Sequence, residues 1–420
     1  MKICLIIPPS PFLLDERVFV QLGILKIASA LEQQNYSVDM VDLSGVENYT
    51  DVLTDYVKRK GSASIFGITA TTPQVPYAVK IANHLKLLLP ATQSKVILGG
   101  PHVTLMHTAA KREAKKNFVG SDRATKDVEA LKNYFDVLVC GDGEIAIFDA
   151  IHEDEKIIDA DISKSKYFLS HKQFSELPPP ARHLVDMSSY KYSIEGVPAL
   201  SLIAQLGCPF HCTFCSGRNS PFLRKIRLRS IESVIDEVEM LYLTYGVKGF
   251  MFYDDELNVN KNMVPMMNRL CDLQDKHGVD FRLRGFVKAE LFKDEQAEAM
   301  YRAGFRWLLT GFESGDPRIL ANIKKIAKRE DGGPVEKGEP YLVGEKGPEI
   351  VTPDRDGFVI PNNQIDSLSS NNDSTKILIQ PITTEVVKTQ PMPVPVPKVV
   401  NKTKFIKKNQ LPESIARMIK

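Results

Sequence analysis

Through the first third of the chain, short apolar runs alternate with stretches whose apolar residues recur every three or four positions. Ile3 to Ile7 is an unbroken apolar run and predicts a strand; Leu22 to Gln33 has helical spacing, and Ser37 to Val41 returns to strand. Ile65 to Thr69 and Lys95 to Leu98 are further strands, with the helical pattern of Val75 to Leu88 between them, and Val137 to Cys140 follows a charged stretch. Strand and helix in alternation imply a parallel sheet covered on both faces, an α/β fold of the Rossmann-like kind. Ligands of such sheets sit beyond the carboxyl ends of the strands, where this chain has small, polar turns: Thr69 to Pro73, Gly99 to Thr104 and Gly141 to Glu144. Each of these also reads simply as a tight turn that glycine permits.

A connector containing Pro178, Pro179 and Pro180 leads into a second zone of four strand–helix units. They pair Leu200 to Gln205 with Ile231 to Tyr245, Gly249 to Tyr253 with Met263 to His277, Phe281 to Phe286 with Asp294 to Ala303, and Trp307 to Gly311 with Pro317 to Lys325. This is the beginning of a (β/α) barrel that stops early. From about Asp331 the composition turns to glycine, proline and charge with brief β-like pieces, followed by SLSSNNDST and the proline-spaced QPMPVPVPK. The expected division is an α/β domain over 1–150, a linker over 151–198, a partial barrel over 199–328, a Gly/Pro-rich short-β segment over 329–364, and a disordered tail over 365–420 with one short helix at Leu411 to Lys420.

Length and charge narrow the picture. At 420 residues the chain is long enough for two or three domains, and 54 basic against 52 acidic side chains leave no field that would gather nucleic acid or anionic lipid. Prolines 8 and 9 interrupt the apolar N-terminus and no small-residue cleavage site follows, which predicts a buried first strand rather than a signal peptide. No run reaches the ~18 apolar residues of a spanning helix, so the expectation is a cytoplasmic protein without membrane or nucleic-acid partners. Cys208, Cys212 and Cys215 crowd into one loop, which suits a metal site in a reducing compartment better than a disulfide framework.

That loop, GCPFHCTFC, spaces its cysteines C-x3-C-x2-C at the end of the first barrel strand, where parallel barrels gather their chemistry. Three thiolates can hold three irons of a [4Fe-4S] cluster and leave the fourth open. The competing reading is zinc on the three thiolates and His211, although adjacent His211 and Cys212 do not easily face one tetrahedral ion. Cys4, Cys140 and Cys271 sit in apolar strand or helix patterns and read as ordinary buried residues.

C-x3-C-x2-C with Phe214 before the last cysteine resembles the radical SAM signature, and residues 1–328 resemble the cobalamin-binding-domain subgroup of that superfamily. The resemblance implies an enzyme with a [4Fe-4S] cluster on Cys208, Cys212 and Cys215, whose open iron chelates the amino and carboxylate groups of S-adenosylmethionine (SAM). The reduced cluster then cleaves the sulfonium to a 5'-deoxyadenosyl radical, for methylation or rearrangement of an unidentified substrate. It also implies a small-molecule or peptide substrate and an external electron donor such as flavodoxin or ferredoxin. By position, Asp254, Asp255 and Glu256 of FYDDE, Arg282 or Arg284 on the third strand, and Glu313 and Ser314 of GFESGDP would line the SAM pocket. Asp255 or Glu256 also reads as a turn cap.

In the N-terminal zone, IIPPS, GITATTP, LGGPHVT and GDGE resemble the cobalamin-binding domain, and a corrinoid's nucleotide tail would touch Thr69, Thr71, Thr72, Gly99, Gly100 and His102. The D-x-H-x-x-G motif that supplies an axial histidine is absent, so the zone either binds cobalamin without a protein imidazole or keeps the fold without the ligand. Gly332 to Asn362, with PYLVGEKGPEIVTP, resembles the C-terminal segment of phage tail tape-measure proteins. The alternative is therefore a phage tail-associated or chimeric protein carrying an inactive, truncated radical SAM remnant.

Overall fold

The computed structural model describes residues 1–59, 62–90, 94–116 and 122–323, together with five short strands between 327 and 359. In chain order the first zone runs β1 (Lys2–Ile7), α1 (Leu22–Gln33), β2 (Ser37–Asp42), α2 (Tyr49–Lys58), β3 (Ile65–Thr69), α3 (Val75–Leu88), β4 (Lys95–Gly99), α4 (Pro101–Lys116), α5 (Arg123–Leu131), β5 (Val137–Cys140), α6 (Gly143–His152) and β6 (Ile157–Asp159). The six strands form one parallel sheet in the order β2-β1-β3-β4-β5-β6. Side chains alternate across it as the pleat requires: Ile3, Leu5 and Ile7 pack with Ile24 of α1 and Ile147 of α6, while Cys4 and Ile6 pack with Leu53, Ile81 and Leu131 on the other face. The strand order reverses beside β1, which opens a crevice at the carboxyl ends of β1 and β3.

This sheet extends beyond residue 150, into the stretch expected to be linker. Ile158 supplies an apolar side chain to the α1–α6 face, and the backbone of β6 completes the ladder of β5. Three residues are too few to show a period, so β6 left no pattern to detect.

After α7 (His171–Glu176) come β7 (Ser193–Ile194), β8 (Val197–Leu202), β9 (Gln205–Leu206), α8 (Pro221–Arg224), β10 (Arg227–Leu228), α9 (Ile231–Tyr245), β11 (Gly249–Phe252), α10 (Met263–His277), β12 (Arg282–Phe286), α11 (Asp294–Ala303), β13 (Phe305–Leu309) and α12 (Pro317–Asn322). A curled half-barrel results, in the order β13-β12-β11-β8-β7, with β8, β11, β12 and β13 parallel and β7 folded back antiparallel. The expected first strand divides: β8 ends at Leu202, and Gln205 and Leu206 turn away to pair antiparallel with β10. The half-barrel core is Phe250, Phe252, Phe281, Leu283 and Phe305 packed under the methionines of α10. Strand β13 lies at the sheet's edge, and Trp307, Leu308 and Phe312 are exposed there.

The last described pieces are β14 (Ala327–Lys328), β15 (Gly333–Val335), β16 (Tyr341–Val343), β17 (Glu349–Val351) and β18 (Gly357–Val359), paired as β14-β16-β17 and β15-β18. The expected tail over 365–420 and its terminal helix lie outside the described residues, as does most of the segment that resembles tape-measure proteins.

Candidate functional site

The cysteine loop begins on a backbone clamp. Between β9 and the loop, Gly207 takes φ +87°, and a Cβ there would lie 2.3 Å from the Lys225 carbonyl oxygen, so only glycine lets the two backbones approach. The Cys208 amide donates to the Leu223 carbonyl at 3.0 Å and the Cys215 amide to the Cys212 carbonyl at 3.1 Å. Farther along, the Thr213 amide donates at 2.8 Å to Ile323, just past α12, which ties the loop to the far end of the half-barrel. Leu223 belongs to α8, a four-residue helix that Ser220 caps and Pro221 starts.

Cys212 is buried, Cys208 partly buried and Cys215 exposed, and none is in a disulfide. Burial pushes the Cys208 thiol up to about 11, and the carboxylates of Glu256 and Asp255 push in the same direction. Such a thiol gives up its proton to a metal rather than to water at neutral pH. One cation stands where it would offset the negative charge of three metal-bound thiolates: the Arg224 guanidinium lies within electrostatic reach of all three cysteines and holds the Pro209 carbonyl. The Lys288 ammonium borders the loop, 3.9 Å from the centre of the Phe210 ring, and is 3.9 Å from the Glu290 carboxylate.

Among the described residues, no three His, Cys, Asp or Glu side chains converge tightly enough to hold a single metal ion. Zinc needs that convergence, whereas a cluster spreads its thiolates over separate irons. Three thiolates on one loop with an adjoining cation are a donor set that fits a [4Fe-4S] cluster.

The predicted SAM residues divide. Asp254 is fully buried; its Oδ1 accepts the amides of Ala204 (3.0 Å) and Gln205, and burial raises its carboxyl to about 7. It braces the end of β8 and is closed to a ligand ammonium, contrary to expectation. Asp255 accepts the Gly207 amide at 3.1 Å, and the Glu256 carbonyl accepts from Gln205 Nε2 at 3.3 Å, so both residues stand directly beside the cysteine loop.

Arg282 does not join them. It starts β12, at the amino end of the half-barrel, and its guanidinium meets Glu195 at 3.5 Å. Arg284 lies one pleat farther on, with Nη1 3.4 Å from the Tyr192 hydroxyl. Glu313 is exposed with φ +58°, and Ser314 Oγ accepts the Asp316 amide at 3.0 Å, which organises the turn before α12.

In the N-terminal sheet, the carboxyl ends of β3, β4 and β5 open into an apolar cavity of about 250 Å³ between the sheet, α1 and α6. Thr69, Gly99 and Gly100 line it, while Thr71, Thr72 and His102 do not. Thr71 closes a capping box with Gln74. The ring of His102 is buried, with Nδ1 3.1 Å from Thr72 Oγ and Nε2 3.0 Å from Asp127, so both nitrogens are engaged within the protein. Pro101 starts α4 and carries His102 away from the cavity.

Sequence reasoning missed what closes this cavity: Phe222 and Leu223 of α8. The same short helix thus touches the cavity with the Leu223 side chain and the cysteine loop with the Leu223 carbonyl. Its position is set by Asp161, which accepts from Ser220 Oγ (2.8 Å) and the Phe222 amide (2.7 Å), and by Arg227, which donates to the Phe222 carbonyl (2.9 Å). Arg227 is also paired with Asp142 at the start of α6, both fully buried, and so locks the half-barrel to the first sheet. The basic residues of PFLRK, a few positions after the motif, were the available signal for Arg224; nothing local marks Lys288.

Residues 202–331 match the model of the Radical SAM superfamily. The chain is 28% identical over 352 residues to an uncharacterized methyltransferase of Pyrococcus horikoshii, covering 77% of this chain and 68% of that protein. Its fold is similar to that of the radical SAM methyltransferase TsrM from Kitasatospora setae, solved with cobalamin and a [4Fe-4S] cluster (TM-score 0.54, 17% identity, 76% of this chain and 62% of that one). It is also similar to the cobalamin-dependent SAM radical enzyme OxsB, solved with aqua-cobalamin and SAM (TM-score 0.56, 16% identity, 77% of this chain and 45% of that one). The chain thus spans less than two thirds of either solved protein.

Proposed function

We propose, from the radical SAM domain within residues 202–331, that this chain is a cobalamin-dependent radical SAM enzyme of the methyltransferase kind. One observation carries the reading: a single short helix, α8, borders both the three-cysteine loop and the apolar cavity of the first sheet. When bound, the cluster supplies one electron for reductive cleavage of SAM, and cobalamin supplies a methyl carrier.

The chain's own residues position these groups. Cys208, Cys212 and Cys215 would hold three irons, and Arg224 would compensate the charge of the thiolates. Asp255 and Glu256, beside Cys208, would receive the ammonium of SAM. Apolar walls would take up the planar base of a corrinoid's nucleotide tail: a cavity of ~150 Å³ already admits benzene, and this one is larger. Phe222 and Leu223 exclude water from it.

The substrate is a small molecule or peptide, the electron donor a flavodoxin or ferredoxin, and the setting the cytoplasm, without nucleic-acid or membrane partners. Among the described residues no helix is long and apolar enough to cross a membrane. The functional division is a corrinoid domain through β6, a connector up to β7, and the SAM domain from β7 to 328, followed by the short-β segment over 329–364 and the tail.

Anaerobic reconstitution with iron and sulfide, followed by reduction in the presence of SAM and hydroxocobalamin, tests the reading. The expected products are 5'-deoxyadenosine and S-adenosylhomocysteine, with an EPR signal that SAM shifts. A reconstituted protein that holds zinc, or that keeps its iron when all three cysteines are alanine, refutes it.

A second reading makes the chain a phage tail-associated or chimeric protein with a truncated enzyme remnant. The exposed edge of β13 and the sequence of Gly332 to Asn362 favour it. Abundance in purified virions, together with no SAM cleavage by a protein that holds its cluster, would establish it.

A further inference from the structure

The cavity of the first sheet is apolar on nearly every wall, yet one carboxylate stands in it. Glu144 occupies the first turn of α6, is 8% exposed and lines the cavity; every other lining residue is uncharged. Among the described residues its carboxylate accepts no hydrogen bond and forms no ion pair. The neighbouring Asp142 differs: it accepts the Leu169 amide at 3.0 Å and is paired with Arg227. Two hydroxyls, those of Thr69 and Thr104, also line the cavity near the strand ends, and that of Thr104 is already engaged, donating to the Gly100 carbonyl and accepting the Gly141 amide. Behind α1 the ammonium of Lys26 is buried without a hydrogen-bond partner, held by the Phe174 ring at 4.1 Å, and its charge acts on Glu144 through space. The carboxylate oxygens of Glu144 open into the cavity, so a ligand that fills the cavity displaces water from them and must itself donate a hydrogen bond.

We infer that Glu144 reads the ligand of this cavity by accepting a hydrogen bond from a ribose hydroxyl of a corrinoid's nucleotide tail. The inference rests on the cobalamin reading above and adds the residue that distinguishes one corrinoid from another. A corrinoid that lacks the nucleotide leaves the carboxylate unpaired and gains nothing from the cavity. One charge-assisted hydrogen bond in an apolar site is worth roughly tenfold or more in affinity.

The test is equilibrium binding, followed by absorbance and equilibrium dialysis, of hydroxocobalamin and of cobinamide, which has no nucleotide tail. The full-length protein is compared with Glu144→Leu and Glu144→Gln. The wild type should prefer cobalamin by roughly tenfold or more. Glu144→Leu should lower that preference by roughly tenfold, the part the hydrogen bond supplies, while binding cobinamide as the wild type does, and Glu144→Gln, which keeps an acceptor oxygen, should lower it less. In thermal melts without ligand, both variants should remain folded, so that a change in binding reports on the cavity. If the wild type prefers cobalamin and Glu144→Leu keeps the full preference, the role of Glu144 is overturned and the cobalamin reading stands. If the wild type binds both corrinoids equally, or neither, the tail does not use this cavity, and both the inference and its premise fail.

Discussion

Replacing Gly207 by alanine tests whether the cysteine loop depends on the clamp between β9 and β10, and Gly196→Ala is its internal control. Both glycines have left-handed backbones, φ +87° and +78°, so both substitutions incur the same conformational penalty, about 1–2 kcal/mol. Their surroundings differ. A Cβ at 196 meets nothing within 4 Å, whereas at 207 it would lie 2.3 Å from Lys225 O and 2.7 Å from Lys225 C. That overlap is with backbone, which no rotamer change relieves, and forcing it apart adds about 1–3 kcal/mol. At about 2 °C per kcal/mol for a chain of this size, Gly196→Ala should lower the melting temperature by about 2–4 °C and Gly207→Ala by about 4–10 °C.

The difference should be larger still in the metal site, because Lys225 follows α8, whose Leu223 carbonyl anchors Cys208. After anaerobic reconstitution and desalting, Gly207→Ala should lose the larger part of its iron while Gly196→Ala keeps it. The assay is iron per chain by a colorimetric chelator, alongside a thermal melt. Equal melting temperatures and equal iron in the two variants would show that the strands do not approach as closely as described, and the clamp argument would be wrong.

Other outcomes follow from the same structure. Arg227→Met leaves Asp142 as a buried carboxylate without its cation and should cost about 3–5 kcal/mol in urea denaturation, with Arg227→Met/Asp142→Asn recovering part of it; equal losses in both would rule out the pairing. Asp254 carries a folded-state carboxyl raised by burial to about 7, above its unfolded value, so the folded protein holds a proton that the unfolded chain releases first. Its contribution to stability is complete below the unfolded value, about pH 4, and is lost as pH rises through about 7; melts from pH 5 to 8 should fall less steeply in Asp254→Asn. Arg282→Gln, at the amino end of β12, should leave SAM affinity unchanged, while Glu256→Gln weakens it by about tenfold in equilibrium dialysis; a loss in Arg282→Gln alone would reverse the assignment.

What could be read in the chain alone is what neighbours in sequence enforce. Helical spacing located α1, α3, α9, α10 and α11 at their observed bounds, because one apolar stripe per helix is a property of its own residues. The cysteine trio was legible for the same reason: its three ligands lie on one loop. Harder to see were α2, α4 and α5, whose stripes are interrupted by charge, α6, which is apolar on most sides, and β6, too short to show any period.

The roles of individual polar residues were settled by partners far away along the chain. FYDDE offers three carboxylates in a row, and only the packing of β8 against β11 buries Asp254 under two amides while leaving Asp255 and Glu256 beside Cys208. LGGPHVT offered His102 as a ligand contact, but Asp127, 25 residues on, takes its second nitrogen. The cavity, its carboxylate and the helix that closes it come from α1, α6, four strands and α8 together. A spacing pattern records which side chains share a face; it carries no information about which of them find a distant partner when two sheets close on each other, and that pairing decides which charges stay free to meet a ligand.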